Sequence, residues 1–355
     1  MNETVIDTAG DVRDGEELDI AAVDRWLRAR VDGLEGAPEV TQYSGGASNW
    51  TYRLAYRSHD LILRRPPAGT KAASAHDMGR EFRVQSRLRP AFPHVPEMIA
   101  YCDDDAVIGS EFYVMERLRG LIPRAGMPRG VHLDEATTRA LCLSVIDKLV
   151  ALHAVDVDAA GLRDLGKGAG YVRRQIEGWT ERYARARTWN VPRFTDVTRW
   201  LAAHMPEDAA TCVIHNDFRL DNCVLDPEDP TRVLGVLDWE MATLGCPLMD
   251  LGTTLAYWIQ ADDDPLARAT RRQPTHLPGM LTRDEVVDYY CLRTGRTIDN
   301  WAFYEVYGLF RLAVIAQQIY YRYHHKQTRN PAFRNLWVVI HYLYWRCRGI
   351  IRRAR

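Results

Sequence analysis

The chain has 355 residues, of which 46% are hydrophobic and 26% charged, as in an ordinary globular protein. Lysine and arginine total 46 against 47 aspartate and glutamate residues, which argues against a general nucleic-acid or membrane-surface binder. The cysteines are scattered without a C-x-x-C pair, so we expect neither a disulfide framework nor structural zinc, and a reducing, cytoplasmic location fits better. No apolar run is long enough for a membrane span. The length predicts two lobes.

In chain order, residues 1–18 are acidic and lack an apolar segment, which predicts a disordered extension and no signal peptide. Asp19 is expected to cap a helix over residues 20–31. The segments "EVTQYSGGASNWTYRLAY" and "DLILRRPP" predict strands, and "SAHDMGREFRVQSRL" predicts a helix. A further strand pair is predicted over "AVIGSEFYVMERL". Residues 19–117 are thus predicted to form a small sheet with one inserted helix.

The pattern changes near Gly120 and Pro123, where the second lobe, residues 118–355, is expected to begin. From there the apolar residues recur at helical spacing, with one exception. The exception, "HNDFRLDNCVLDPEDPTRVLGVLDWE" at residues 215–240, holds seven carboxylates. Its runs "CVLD" and "RVLGVLD" flank the turn segment "PEDPT" and predict an antiparallel hairpin.

The predicted hairpin would bring two possible metal ligands together, each with an oxygen atom. Asn222 precedes the first strand and Asp238 closes the second, so both fall at one open end, roughly 5 Å apart along the backbone. The turn acids Asp226, Glu228 and Asp229 fall at the other end and are expected to be solvated.

Two oxygen ligands are too few for Ca²⁺, but Mg²⁺ keeps waters and takes ligands from substrate phosphates. Asp217, five residues before Asn222, could accept a proton from a hydroxyl group. The pattern His-x-Asp-x-x-x-x-Asn, then a hairpin and another Asp, is the kinase arrangement of a base and two metal ligands.

These motifs carry a resemblance. Together with "LGCPLMDLG", "GGASNWTYRL", "LILRRPPAG", "SAHDMGREFRV" and "FYVMERLRG", the hairpin segment resembles the aminoglycoside phosphotransferase and choline-kinase-like family. The branch it resembles is related to the kinase domains fused to acyl-CoA dehydrogenases. The motifs occur in family order from about residue 40 to 258. The resemblance implies an α+β, protein-kinase-like two-lobed fold, with a small antiparallel-sheet N-terminal lobe and a mainly helical C-terminal lobe.

The resemblance also implies roles. Asp217 corresponds to the catalytic base, Asn222 and Asp238 to the Mg²⁺ ligands, and His215 and Asp250 to the supports of that loop. The nucleotide would be ATP, with GTP as an alternative, and it would bind at Gly45, Gly46, Ser48, Asn49, Arg64, Glu81, Met115, Glu116 and Arg117. Among these, Arg64 and Glu81 would form an ion pair and residues 115–117 the adenine-reading hinge.

Simpler interpretations remain open at this stage. The two glycines could form an ordinary hairpin turn, and Arg64 and Glu81 a plain surface salt bridge. The usual kinase lysine is Arg64 here, and Asp238 precedes Trp239 rather than Phe-Gly; neither change removes a metal ligand.

The phosphate acceptor is inferred from charge. Residues 301–355 contain one acid, Glu305, against ten lysine or arginine residues, and many aromatics. In the family this segment helps to wall the acceptor site, so a hydroxyacyl or other anionic or apolar acceptor is favoured. The acids at 262–264 are the counter-evidence. The residues expected near the acceptor are Asp221, Arg219, Glu240 and Trp258.

The alternatives in function are a nucleotide- or ligand-binding pseudokinase, a genuine aminoglycoside phosphotransferase and, ranked last, a protein kinase. The expected partners are a nucleotide and a small molecule, without nucleic acid or membrane. The sequence leaves the oligomeric state open.

Overall fold

A five-stranded antiparallel sheet forms the N-terminal part of the computed structural model, which describes residues 9–43, 49–67 and 77–354. The strand order is β1-β2-β3-β5-β4. The elements of this part are β1 Glu39–Gln42, β2 Trp50–Ala55, β3 Asp60–Arg65, β4 Met98–Cys102 and β5 Phe112–Glu116, with helices α1 Ile20–Arg28, α2 Met78–Leu88 and α3 Asp105–Ile108.

The sheet is covered on both faces because alternate residues of a strand point to opposite sides. Leu54 of β2 pairs with Leu61 of β3, and both pack with Val23 and Leu27 of α1. On the other face, Ile62, Tyr113 and Met115 pack against Met78 of α2. The predicted cap of α1 is confirmed, since the Asp19 carboxylate accepts from the backbone N–H of Ala22 at 2.9 Å.

Two sequence predictions for this part are wrong. Residues 9–18 are attached to the sheet: Gly10 bridges Gln42, the backbone carbonyl of Glu16 accepts from the Tyr52 hydroxyl, and Leu18 is buried. The predicted strand pair over residues 106–118 contains only β5. Its first part lies in the short helix α3, which Asp104 caps by accepting from the Ala106 N–H.

The C-terminal part is mainly helical. Its two short antiparallel pairs are β6 with β9 and β7 with β8. The helices are α4 Glu135–His153, α5 Tyr171–Ala186, α6 Thr195–Ala203, α7 Pro247–Ala256, α8 Pro265–Ala269, α9 Arg283–Thr294, α10 Trp301–His324 and α11 Leu336–Arg353. The strands are β6 Cys212–Ile214, β7 Cys223–Leu225, β8 Val233–Val236 and β9 Thr243–Gly245.

Helices α7 and α10 cross at two glycines. A Cβ atom on Gly252 would lie 2.4 Å from the backbone oxygen of Tyr304, and one on Gly308 would lie 2.1 Å from the oxygen of Gly252. Only glycine allows so close an approach of two helix backbones. Among the described residues, no helix is long and apolar enough to cross a membrane.

The two parts meet just after β5. Leu121 and Leu225 exchange backbone hydrogen bonds of 2.9 and 2.8 Å, and a Cβ on Gly120 would lie 2.3 Å from the Leu225 oxygen. Helix α2 also spans the junction, because Val84 and Leu88 belong to the large core of the C-terminal part. The N-terminal helix is therefore packed against the part of the chain that carries the hairpin.

Candidate active site

The hairpin of β7 and β8 brings the two predicted metal ligands together. Cys223 pairs with Val236, and the backbone N–H of Leu237 donates to the carbonyl of Asn222 at 2.8 Å. Asn222 and Asp238 therefore flank the last backbone hydrogen bond at one end of the ladder. The side-chain Nδ2 of Asn222 donates to the backbone oxygen and to Oδ2 of Asp217, at 2.9 and 3.2 Å.

A buried carboxylate supports the loop that carries Asp217. Asp250, in the first turn of α7, accepts from the backbone N–H groups of His215 at 2.8 Å and Asn216 at 2.7 Å. Its third donor is Nε2 of His153 at 3.1 Å, whose other ring nitrogen meets the Tyr290 hydroxyl at 2.7 Å. Although burial favours the neutral acid, these hydrogen bonds and the nearby histidines lower the pKa of Asp250.

His153 is a support that the sequence analysis missed. It lies on α4, 97 residues before Asp250, and no motif connects the two residues. A lone histidine on an apolar helix has no partner that residue spacing could indicate.

His215 holds the loop to the hairpin as a neutral ring. Its Nε2 lies 3.0 Å from the carbonyl of Leu237, which can only accept, so this nitrogen carries the proton. Its Nδ1 accepts from the backbone N–H of Asp217 at 3.3 Å. Burial lowers the pKa of His215, which favours the same neutral form.

Two residues of this region have left-handed backbone conformations that non-glycine residues rarely adopt. Asn216 has φ 65° and Asp238 has φ 68°. The Asn216 side chain donates to the Met241 carbonyl at 3.0 Å and accepts from the Tyr171 hydroxyl at 3.0 Å, which holds that turn. Such strain costs on the order of 1–3 kcal/mol per residue and is typical of functional sites.

Arg64 joins the sheet to the hairpin. Its guanidinium lies 3.3 Å from the Glu81 carboxylate of α2 and 3.4 Å from Asp238 Oδ1. The Tyr113 hydroxyl and the Asn49 amide also donate to Glu81, at 2.8 and 3.1 Å. Arg64 and Glu81 are both buried, so the simpler interpretation of a surface salt bridge is wrong.

The donor set fits a magnesium ion held with a nucleotide. Because Asn222 uses Nδ2 toward Asp217, its Oδ1 remains for a cation beside the half-exposed Asp238 carboxylate. One amide oxygen and one carboxylate are an incomplete shell, which phosphate oxygens and waters complete for Mg²⁺. The Nε of Arg64 is buried without a hydrogen-bond partner in the described structure, as expected beside an anion-binding site.

The comparisons with known proteins agree with this geometry. The model of a phosphotransferase enzyme family matches residues 39–285. The chain belongs to this family. It is 36% identical over 304 residues to mouse acyl-CoA dehydrogenase family member 10, covering 85% of this chain but 28% of that protein.

Two solved structures extend the comparison. A Ralstonia eutropha protein assigned to the aminoglycoside phosphotransferases has 30% identity and a TM-score of 0.80, covering 96% of this chain and 100% of its own. A Cryptosporidium parvum choline kinase, at 12% identity and a TM-score of 0.63 with 93% and 96% coverage, shares the fold. The resemblance and the protein-kinase-like two-lobed fold are thus confirmed, and so is a small-molecule kinase as the class of enzyme. Another structure with this fold, a thermostable mutant of aminoglycoside phosphotransferase APH(4)-Ia, holds AMP-PNP and hygromycin B; it is 14% identical to this chain, with a TM-score of 0.53.

In this phosphotransferase, the predicted hinge residues lie at the end of β5. The backbone N–H of Glu116 donates to the Glu97 carbonyl at 2.9 Å, and that of Arg117 to the Asp60 carbonyl at 3.1 Å. Those two N–H groups are occupied within the sheet, so adenine contacts by these residues would fall to their carbonyl oxygens. Met115 is buried at the α2 side of the sheet.

The predicted acceptor residues fall into two groups. Arg219 and Asp221 lie beside Asp217: the Arg219 guanidinium is 3.4 Å from Asp217 Oδ2 and its Nε 3.1 Å from Asp221 Oδ1. The same guanidinium lies 4.8 Å above the ring centre of Tyr257. Burial raises the pKa of Asp221, and the neighbouring Arg219 opposes that rise.

Trp258 and Glu240 do not belong to that group. Trp258 is 1% exposed and its indole N–H donates to the Leu281 carbonyl, so it is a core residue rather than a wall of an open site. The Glu240 carboxylate lies 3.4 Å from the Asn49 amide, which places it against the N-terminal lobe. The burial of Trp258 contradicts its predicted place at an open acceptor site, whereas the role of Glu240 stays a prediction.

Of the predicted phosphate-covering turn, Gly45, Gly46 and Ser48 lie outside the described residues. Asn49 is described and is fully buried between the acids Glu81 and Glu240.

Arg80 is a further contact that the sequence analysis missed. It precedes Glu81 on α2, and its guanidinium donates to the backbone carbonyls of Glu240, at 3.2 Å, and Ala242. These carbonyls follow Asp238 and end the short 3₁₀ helix Trp239–Met241. Arg80 therefore ties α2 to the backbone beside the predicted metal ligand.

Proposed function

We propose that this chain transfers the γ-phosphoryl group of ATP to a hydroxyl group of a small organic molecule. The observation that supports this most is the end of the hairpin. There Asn222, Asp238 and Asp217 come together. The backbone N–H of Leu237 donates a hydrogen bond to the carbonyl of Asn222, and the side-chain amide of Asn222 donates to Asp217.

The reaction assigns one task to each group. Asp217 orients the acceptor hydroxyl and takes its proton while the new oxygen–phosphorus bond forms. The bond from the γ-phosphorus to the bridging oxygen of ADP breaks, and ADP leaves with the electron pair. Asn222 and Asp238 would hold Mg²⁺, which would supply positive charge to the phosphate oxygens. Arg64 contributes a buried positive charge beside Asp238, with its unpartnered Nε available to a phosphate oxygen.

For the nucleotide, ATP is proposed first and GTP second. The hinge contacts fall to backbone groups at the end of β5, which distinguish the two purines by their hydrogen-bond pattern. Gly45, Gly46 and Ser48 are proposed to cover the phosphates with backbone N–H groups.

An anionic or apolar acceptor, such as a hydroxyacyl compound, is proposed over a polycationic aminoglycoside. Beside Asp217 lies the partly buried guanidinium of Arg219, whose Nε is 3.1 Å from Asp221 Oδ1 in an ion pair that makes no aligned hydrogen bond. Because both atoms lack a hydrogen bond, an anionic group of the acceptor would replace Asp221 as the partner of this guanidinium. A cation next to the base that can exchange its partner favours an acceptor that carries negative charge.

The acids at 262–264 were the argument for a cationic acceptor. Each of them contacts other residues of this chain. Asp263 forms a bidentate ion pair with Arg283 at 2.6 and 2.8 Å. Asp264 caps α8 and accepts from the Tyr342 hydroxyl, and Asp262 accepts from the side chain of Gln260.

The aromatic residues near the C-terminus give less support than the sequence suggested. Tyr304, Tyr307 and Tyr320 are buried in the large core and do not wall an open site. The charge of Arg219, rather than those rings, therefore carries the acceptor proposal.

The acceptor screen uses matched pairs: 3-hydroxybutyrate against neutral 1,3-butanediol, with kanamycin as the polycation. Product is measured by ³¹P NMR for the wild type, Asp217→Asn and the control Asp229→Asn at the far turn of the hairpin. We expect phosphorylation of the anionic member, lowered about 10²–10⁴-fold by Asp217→Asn and unchanged by the control. Turnover of kanamycin alone would contradict the acceptor class. Nucleotide binding without any turnover across a broad panel would favour the pseudokinase alternative.

A further inference from the structure

A cavity of about 420 Å³ lies among the last two helices and the start of α9. Its wall includes Glu305 in the second turn of α10, Arg283 at the start of α9, and Trp345, Arg346 and Arg353 on α11. None of these residues belongs to the catalytic hairpin, and the volume lies within the usual range for small-molecule sites.

Two of the three arginines that line the cavity, Arg346 and Arg353, form no ion pair in the described part of the chain. Arg283 is neutralised by its bidentate pair with Asp263. Glu305, by contrast, is influenced by Arg346 and Arg353 only through space, since no ion pair joins them in the described part of the chain. Apart from the Asp263–Arg283 pair, two arginines and one partly buried carboxylate thus line the cavity, which leaves a net positive charge. Guanidinium groups bind phosphate and carboxylate oxygens in pairs, which a small anion between them would satisfy.

The same cavity has an apolar side. The indole of Trp345 is 72% exposed at its edge, and Ile350 lines its floor. Gly349 keeps the helix surface low there: a Cβ at that position would lie 3.7 Å from Nη1 of Arg353. An exposed tryptophan beside two cations suits a ligand that combines an anionic group with an apolar or flat portion.

We infer that this cavity binds a small organic anion, with its phosphate or carboxylate group between Arg346 and Arg353 and its apolar part against Trp345. Binding there would use the positive charge of the C-terminal segment, which carries one acid against ten basic residues over positions 301–355. It would also link α11 to α10 and to the start of α9 through one ligand.

The test is calorimetric titration of the full chain with three probes. Phenyl phosphate carries both features, inorganic phosphate only the anion, and benzyl alcohol only the ring. We expect phenyl phosphate to bind more tightly than inorganic phosphate, and benzyl alcohol to show no binding up to about 10 mM.

Variants locate the site. Arg346→Gln and Arg353→Gln should each raise the Kd for phenyl phosphate about ten-fold, and Trp345→Ala a few-fold. The matched control is Arg352→Gln, at an exposed position of the same helix that does not line the cavity, and it should leave the Kd unchanged. No heat of binding from phenyl phosphate, or equal Kd values in Arg346→Gln and the control, would overturn the inference.

Discussion

Replacing Asp250 by asparagine should destabilise the loop that carries Asp217, because this buried carboxylate accepts from three donors. The carboxylate accepts through Oδ1 from Asn216 and through Oδ2 from both His215 and His153. An amide has one oxygen and one NH₂ group, so in either orientation at least one buried donor faces another donor.

The magnitude follows from the number of lost acceptors. Each buried donor left unsatisfied costs about 1–3 kcal/mol, and one or two are lost, which gives a total of roughly 1–6 kcal/mol. For a chain of 355 residues this corresponds to a fall in Tm of roughly 1–8 °C. Because the donors belong to the loop that carries Asp217, kcat should fall as well, while the KM for nucleotide changes less.

The pH dependence gives a second readout. The folded pKa of Asp250 lies below its unfolded value of about 3.9, so its contribution to the free energy of unfolding is present above that value. It is lost as pH falls through the folded pKa. Asp250→Asn should therefore lose less stability than the wild type between about pH 4 and the folded pKa.

Thermal denaturation followed by circular dichroism measures both effects. The matched control is Asp156→Asn, which also accepts from two backbone N–H groups but is fully exposed to water. A Tm for Asp250→Asn less than about 1 °C below the wild type, or equal to that of the control, would refute the reasoning about the buried acceptor.

Two further predictions concern contacts between elements. Arg80→Met should raise the Mg²⁺ concentration needed for half-maximal activity several-fold, because the loop after the proposed metal ligand Asp238 loses two hydrogen bonds to its carbonyls. Nucleotide binding without metal, measured by calorimetry, should not change. Gly252→Ala should lower the stability to urea by at least about 1–3 kcal/mol, because its Cβ would overlap the Tyr304 carbonyl. The control Gly178→Ala, whose Cβ would have only an arginine side chain at 3.4 Å, should be neutral or stabilising.

The hairpin could be predicted from the sequence because it depends on local chemistry. Short apolar runs around a turn segment set the register, and the register sets where Asn222 and Asp238 lie. Helix α1 follows from its capping aspartate and its apolar spacing, and helix α2 from its helical pattern.

The missed features depend on long-range contacts. His153 and Arg80 acquire their partners from segments 97 and 160 residues away, and no local pattern records that. Residues 9–18 were predicted to be disordered because they are acidic, but their backbone pairs with the sheet edge at Gln42, where composition matters little. Trp258 is similar: an aromatic residue near the site motif is core or wall according to packing that the sequence does not reveal.

The most direct test of the central claim is calorimetric binding of ATP, with and without Mg²⁺, to the wild type, Asp238→Asn and Asp226→Asn. Asp226 lies at the opposite end of the same hairpin and serves as the control. The proposed site predicts metal-dependent binding that Asp238→Asn weakens about ten-fold or more and Asp226→Asn leaves unchanged. Equal metal dependence in all three proteins would contradict the metal site at this end of the hairpin. Absence of binding to the wild type would contradict the nucleotide site as well.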